Sequence, residues 1–193
     1  MAKTPELTGM LDRSQSGKLG VWLFLGGEIV LFSSLILTQV LARIQHGNYT
    51  AFKEQLNIPL AGANTFVLIV SSFLVVLGLS AIRQGNRPHL RAALMGVIVA
   101  GLLFLGGQAV EWASLFGSGV TVGDEYGCYF YTITGVHGAH VLIGVIWASF
   151  VLVRSLQSLK DARFARSVEI FGLYWHFVDV VWIVLFTLFY LVP

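Results

Sequence analysis

Six ionisable side chains lie inside long apolar runs of this chain: Glu28, Glu111, His137, His140, His176 and Asp179. Asn64 and Gln108 join them as polar neighbours. Ionisable groups are expensive in hydrocarbon, so each needs a partner, a cavity or a lipid headgroup. His137 and His140 share one face of a helix, and so do His176 and Asp179, because each pair is three residues apart. Imidazoles ligate metals and haem, and a carboxylate beside an imidazole holds or passes a proton. The chemistries to weigh are therefore a metal or haem site, a proton relay, and polar contacts between helices.

Composition sets where those groups sit. The chain is 56% hydrophobic and 11% charged, with a mean hydropathy of +0.78. So much apolar surface makes lipid the solvent for most of it. A single cysteine, Cys128, excludes an internal disulfide framework and a thiolate cluster. The net charge of +2 is small and its basic residues are scattered, which argues against nucleic-acid binding. Residues 1–18 are polar and lack the apolar core of a secretory signal.

Five apolar runs each approach the ~20 residues that a spanning helix requires. They are placed at about 19–42, 59–82, 92–116, 130–153 and 170–192. Helices are expected because backbone groups in lipid must bond within their own segment. The fold class is therefore all-α, a polytopic membrane protein forming a single transmembrane helical domain over 1–193. Ten basic residues fall on one side of these spans: Lys3, Arg13, Lys18, Arg83, Arg87, Arg91, Arg154, Lys160, Arg163 and Arg166. Only Arg43 and Lys53 fall on the other, which places the N-terminus inside and the C-terminus outside. The connections leave no room for a soluble catalytic domain, and neither a nucleotide-binding loop nor an inverted repeat is evident.

Helix geometry narrows the chemistry. At ~1.5 Å rise per residue, His140 is expected ~15 Å below the outer edge of the fourth helix and His176 ~9 Å above the inner edge of the fifth. A gap of ~10 Å between them is too wide for one ion with bonds of ~2 Å, so no metal site is expected. Glu28 is expected ~14 Å above the inner edge, level with Asp179 and near His176. A Glu28–His176 hydrogen bond is one expectation. The other is that each group bonds a nearby carbonyl or serine, such as Ser33 or Ser34. Glu111 is expected to snorkel to the interface beside Trp112, within an aromatic belt that includes Tyr126 and Tyr190. His46 and His89 are read as solvated loop residues. Ala92, Gly96 and Ala100, at four-residue spacing, are candidate packing positions, as are Gly135, Gly138 and Gly144 near the histidines and Gly26 and Gly27 beside Glu28.

Four segments, in order, also carry a family likeness. They are Gly20–Glu28 (GVWLFLGGE), Gln108–Trp112 (QAVEW), Thr134–Val141 (TGVHGAHV) and Tyr174–Trp182 (YWHFVDVVW). Together they resemble subunit III of the haem-copper respiratory oxidases, the cytochrome c oxidase type. The resemblance implies a core subunit without catalysis of its own and without metal. Haem and copper are then expected in partner subunits. It implies packing on subunit I, with subunit II in the same complex, possible membership of a respiratory supercomplex, bound phospholipid, and support for proton uptake and sustained turnover. Glu28 matches the family's carbodiimide-reactive glutamate. With His137, His140, His176 and Asp179 it makes a buried polar or lipid-binding network, while Gln108 and Glu111 are polar positions near the interface.

Seven-helix members carry two further N-terminal helices that wall a lipid cleft, and this chain matches from the third helix, as short bacterial forms do. Trp112 stands where a tyrosine is usual and Cys128 where a serine is common. Tyr174 looks more like the cytochrome c branch than the quinol branch. A bacterial plasma membrane is expected ahead of a mitochondrial inner membrane. The alternatives that remain are the subunit III of a quinol oxidase, an accessory subunit of a nitric oxide reductase, a free-standing proton or ion carrier using Glu28, His176 and Asp179, and a haem protein ligated by His137 or His140.

Overall fold

The computed structural model describes residues 4–47, 49–156 and 162–192, with side chains from residue 19 onward except at 46, 162 and 163. The order is α1 (Thr4–His46), α2 (Tyr49–Lys53), α3 (Ile58–Arg83), α4 (Arg87–Gly117), α5 (Glu125–Leu156), α6 (Ala162–Phe186) and a π-helical turn, Thr187–Leu191. No strand occurs among the described residues. The five long helices contain apolar stretches long enough to cross a bilayer: Leu19–Gln45, Ile58–Arg83, Arg87–Gly117, Glu125–Leu156 and Phe164–Leu191.

Each expected span is present, and beyond α1, whose helix already starts at Thr4, three helices begin five or more residues earlier than hydropathy suggested. The α4 helix starts at Arg87 rather than 92, α5 at Glu125 rather than 130, and α6 at Ala162 rather than 170. Local capping explains two of these starts. Asn86 caps α4 by accepting from the His89 amide, with Pro88 in the first turn. His89 is therefore helical rather than a loop residue, and the side chain of His46 lies outside the described residues. The Cys128 amide bonds the Asp124 carbonyl, and the Asp124 carboxylate accepts from the Thr121 amide and, at 3.0 Å, from its hydroxyl. Polar capping segments do not register as apolar, so hydropathy truncates the helices that they begin.

Four helices close a ring in which α3 packs on α4, α4 on α5, α5 on α6, and α6 on α3. The α1 helix docks outside this ring against α5 and α6. Its buried or half-buried positions run Leu25, Glu28, Phe32, Leu35, Gln39 and Ala42, a three-to-four-residue stripe that faces the bundle. The remainder of α1 is lipid-type surface, with Trp22, Leu23, Ile29, Val30 and Ile44 exposed.

Small residues set the approach of the ring helices. A β-carbon on Gly96 would come within 2.6 Å of Leu74, so α3 and α4 cross closely there. Ala100 is buried, whereas Ala92 is exposed, because four-residue steps drift around a helix of 3.6 residues per turn. Gly135 abuts Trp112, Gly138 approaches Leu105, and Gly144 abuts Trp175. Gly26 and Gly27 touch nothing within 4 Å of where a side chain would begin, so they are not contact points in this chain.

One end of the bundle carries Arg83, Arg87, Arg91, Arg154 and Arg166, while the other carries Arg43 and Lys53 with Glu54, Asp124 and Glu125. We refer to these as the basic and acidic ends; the side chains of Lys3, Arg13, Lys18, Lys160 and Arg163 lie outside the described residues. The two cations at the acidic end have a structural task. Arg43 donates to the Leu188 carbonyl at 2.5 Å, Tyr49 to the Phe189 carbonyl at 2.6 Å, and Lys53 to the Leu191 carbonyl at 3.0 Å. The Arg43 guanidinium also lies 3.4 Å from the Tyr49 ring centre. A helix end leaves its last carbonyls without intrahelical donors, and this cluster supplies them.

Loss of the Arg43 head in Arg43→Ala is expected to cost about 1–3 kcal/mol, read as a lower melting midpoint of the purified protein. Burial pushes the Tyr49 hydroxyl from its ordinary 10.0 up to about 12, against the opposing pull of Arg43. The unfolded chain ionises this tyrosine first, so its contribution is intact below pH 10.0 and is lost as pH rises toward about 12. Melting curves of Tyr49→Phe are expected to lack this alkaline decline. An unchanged slope in that variant would assign the decline to other groups.

Candidate functional site

The polar side chains do not form one centre. They form three groups, between α1 and α5, between α3 and α6, and between α4 and the π-helical turn.

The first group joins α1 to the ring. Glu28 Oε2 lies 3.0 Å from His140 Nε2, and both side chains are largely buried, at 15% and 13% exposed. His140 Nδ1 lies 2.8 Å from the Val136 carbonyl, which can only accept, so Nδ1 carries hydrogen. A neutral imidazole then accepts at Nε2 from a protonated Glu28; a doubly protonated one faces a carboxylate. In both forms a single proton lies between Oε2 and Nε2 and the pair has no net charge. That neutrality lowers the cost of burying it in lipid. Tyr174 donates to the His140 carbonyl at 2.9 Å, and the Phe32 ring packs edge-on to the imidazole at 5.2 Å.

This corrects the expected Glu28–His176 pairing. The α5 helix begins five residues early, so His140 lies ~7.5 Å further from the start of its helix than the hydropathy boundary implied. Glu28 therefore meets His140, and the two ends of the depth argument close on a different histidine. Ser34 bonds the Leu31 carbonyl of its own helix and does not serve Glu28.

The second group lies between α3 and α6. His176 Nδ1 is 2.6 Å from Ser72 Oγ. Trp175 donates to Ser71 Oγ at 2.9 Å, and Trp182 donates to Thr65 Oγ1 at 2.9 Å. The three pairs keep one antiparallel register along the two helices. Asp179 is 4% exposed and faces Ser72, and among the described residues neither of its oxygens is within full hydrogen-bond geometry of a donor. Thr65, Ser71 and Ser72 escaped the sequence reading. Their signal is indirect: indole and imidazole N–H groups in lipid need acceptors, and mid-span hydroxyls on another helix are the cheapest supply.

The third group lies toward the acidic end. Glu111 is 1% exposed and accepts from the Tyr190 hydroxyl at 2.7 Å. It does not snorkel, and Tyr190 is buried rather than part of a belt. The π-helical turn Thr187–Leu191 contains Tyr190, so the turn of the phenol toward α4 is a tertiary feature that hydropathy cannot see. Trp112 donates to Thr134 Oγ1 at 3.2 Å, and Tyr126 donates to the Gly47 carbonyl at 2.6 Å. Gln108 is buried, and Asn64 lies against Gly107 so closely that any side chain there would collide with its amide.

His137 stands apart from all three. It is fully buried, and among the described residues neither nitrogen has a hydrogen-bond partner. Its ring stacks on Trp182 at 5.1 Å and meets the edge of Phe104 at 5.5 Å. Its neighbours are therefore aromatic faces. Among the described residues, no three histidine, cysteine or acidic side chains converge as a metal site would require.

Five bilayer-length helices, with Glu28, His140, His176 and Glu111 engaged in contacts between elements, define an integral membrane protein. Over residues 11–192 the chain matches the family model described as cytochrome c oxidase subunit III, and it belongs to that family, the subunit III of haem-copper oxidases. It is 34% identical over 194 residues to a protein of Staphylococcus aureus named probable quinol oxidase subunit 3, covering 98% of this chain and 95% of that one. It is 35% identical over 184 residues to one of Nocardia farcinica named probable cytochrome c oxidase subunit 3, covering 94% and 91%.

Proposed function

We propose that this chain is the subunit III of a proton-pumping cytochrome c oxidase in a bacterial plasma membrane, a core subunit without catalysis of its own. In that reading haem and copper belong to partner subunits, and this chain packs on subunit I with subunit II in the same complex. The N-terminus lies inside and the C-terminus outside. The observation that carries the reading is the family match across nearly the whole chain, together with contacts between elements made by Glu28, His140, His176 and Glu111. The acidic end, with Arg43 and Lys53 engaged as helix caps, leaves the charge excess at the basic end, in agreement with that orientation. Phospholipid retention is the further role assigned to it.

The second reading is the same subunit in a quinol oxidase, favoured by the Staphylococcus aureus relative named for that enzyme. The donor is decided by subunits other than this one, so the test is made on the complex. A tagged copy of this chain is expected to co-purify with a haem protein that oxidises reduced cytochrome c. Oxidation of a quinol alone would shift the assignment to the second reading. Purification without any haem protein, together with proton flux by the chain alone in liposomes, would replace both with a free-standing carrier.

A further inference from the structure

The α6 helix is banked by α1 on one side and α3 on the other. Its Phe177 ring meets Phe32 of α1, with ring centres 6.3 Å apart, and its His176 meets Ser72 of α3. An outward strip remains between the two banks. Leu173, His176 and Val180 lie along it, spaced by three and four residues and so on one helix face. Leu173 and Val180 are exposed, and so are Ile69 and Val76 on α3, about one turn to either side of Ser72. These apolar side chains are ordinary lipid-type surface.

His176 is not. Its Nδ1 is engaged with Ser72 Oγ at 2.6 Å. Its Nε2 has no hydrogen-bond partner among the described residues and, unlike the two sealed nitrogens of His137, reaches the surface of the bundle. Ser72 lies ~21 Å along α3 from Ile58 and ~17 Å from Arg83, so the imidazole beside it is close to mid-membrane. An imidazole is too short to snorkel that far, and an acyl chain offers it no hydrogen bond. Glu28 and Glu111 are answered within the chain, by His140 and Tyr190. The outer nitrogen of His176 is left to be answered from outside. Because the Ser72 hydroxyl can accept from Nδ1 or donate to it, Nε2 can take either role toward a partner.

We propose that the Leu173–His176–Val180 strip seats a transmembrane helix of the haem-bearing partner subunit, which presents a hydroxyl, amide or carboxyl side chain to His176 Nε2 at mid-membrane. The proposal rests on the oxidase reading above and adds to it the face and the polar contact by which this chain docks. Apolar packing alone is nearly indifferent between a lipid and a helix, whereas a hydrogen bond at a fixed depth selects one helix in one register.

The test uses the complex that co-purifies with the tagged chain. His176→Leu and Ser72→Ala both lose the bond between α3 and α6, so both are expected to lower the melting midpoint of the chain. Only His176→Leu also loses the outer nitrogen. It is expected to retain about tenfold less haem protein per chain on detergent titration, the worth of one hydrogen bond, while Ser72→Ala retains it as the unaltered chain does. A photoreactive benzoylphenylalanine at Val180 is expected to join this chain to the haem-bearing subunit. A tagged chain that brings no haem protein with it fails the oxidase reading and this proposal together. Haem protein retained equally by the unaltered chain and by His176→Leu, with or without loss of a bound quinone, overturns this proposal alone. So do equal losses in His176→Leu and Ser72→Ala, which would assign the effect to the fold, and a Val180 product formed only with lipid or with a second copy of this chain.

Discussion

Replacing Trp175 with alanine is expected to destabilise the protein by about 3–5 kcal/mol, the largest effect of any single truncation in the bundle. Trp175 is fully buried and sits where all four ring helices meet. Its ring comes within 3.1 Å of where a side chain on Gly101 of α4 would begin, and within 2.6 Å for Gly144 of α5. Its N–H bonds Ser71 of α3. Truncation removes an aromatic body, opens a cavity that two glycines cannot fill, and leaves the Ser71 hydroxyl without its donor. The converse variant, Gly144→Val, is expected to lower stability as well, because the added carbons meet a ring that is held from three sides. Thermal melting of the detergent-solubilised protein checks both. A Trp175→Ala midpoint equal to that of the unaltered protein would show that the indole is not what joins the ring.

The second large effect is expected at Glu28 and His140. Each alanine variant removes one half of a buried pair, and the remaining half keeps its desolvation cost. A double-mutant cycle is expected to give a coupling of about 1–3 kcal/mol between Glu28 and His140, and additivity between Glu28 and His176. The reverse pattern would restore the pairing that linear depth suggested. Because this pair joins α1 to the ring at mid-membrane, its loss is expected to loosen α1 rather than the ring. Within the proposed oxidase, Glu28→Ala is then expected to leave haem content intact while activity declines faster during sustained turnover. Unchanged endurance and unchanged lipid content would contradict that role.

The site was legible in the sequence to different depths. That Glu28, His137, His140, His176 and Asp179 are intramembrane follows from composition alone, since runs of ~20 apolar residues leave their polar members no other location. That Glu28 faces the bundle is also present in the chain, in its three-to-four-residue stripe with Leu25 and Phe32. Partner choice was not legible. The difference between His140 and His176 as the mate of Glu28 rests on where α5 begins, and that start is built from Thr121 and Asp124, polar residues that hydropathy reads as loop. Glu111 shows the same limit from the other side. Placed near a helix end it reads as an interfacial group, yet the π turn delivers Tyr190 to it and closes lipid and water out.

The sequence by itself determined five membrane helices, their chain order, the asymmetry of basic residues and the family. These depend on local composition, periodicity and short ordered motifs, each contained within one segment. Only the tertiary structure decided that α3, α4, α5 and α6 close a ring with α1 outside it, that Arg43, Tyr49 and Lys53 cap the final turn, and that three hydroxyls of α3 serve α6. The physical reason is that hydrophobicity fixes whether a segment enters lipid but is nearly indifferent to which helix it meets there. Partners are chosen by small residues, hydrogen bonds and helix offsets, which act between segments distant in the chain.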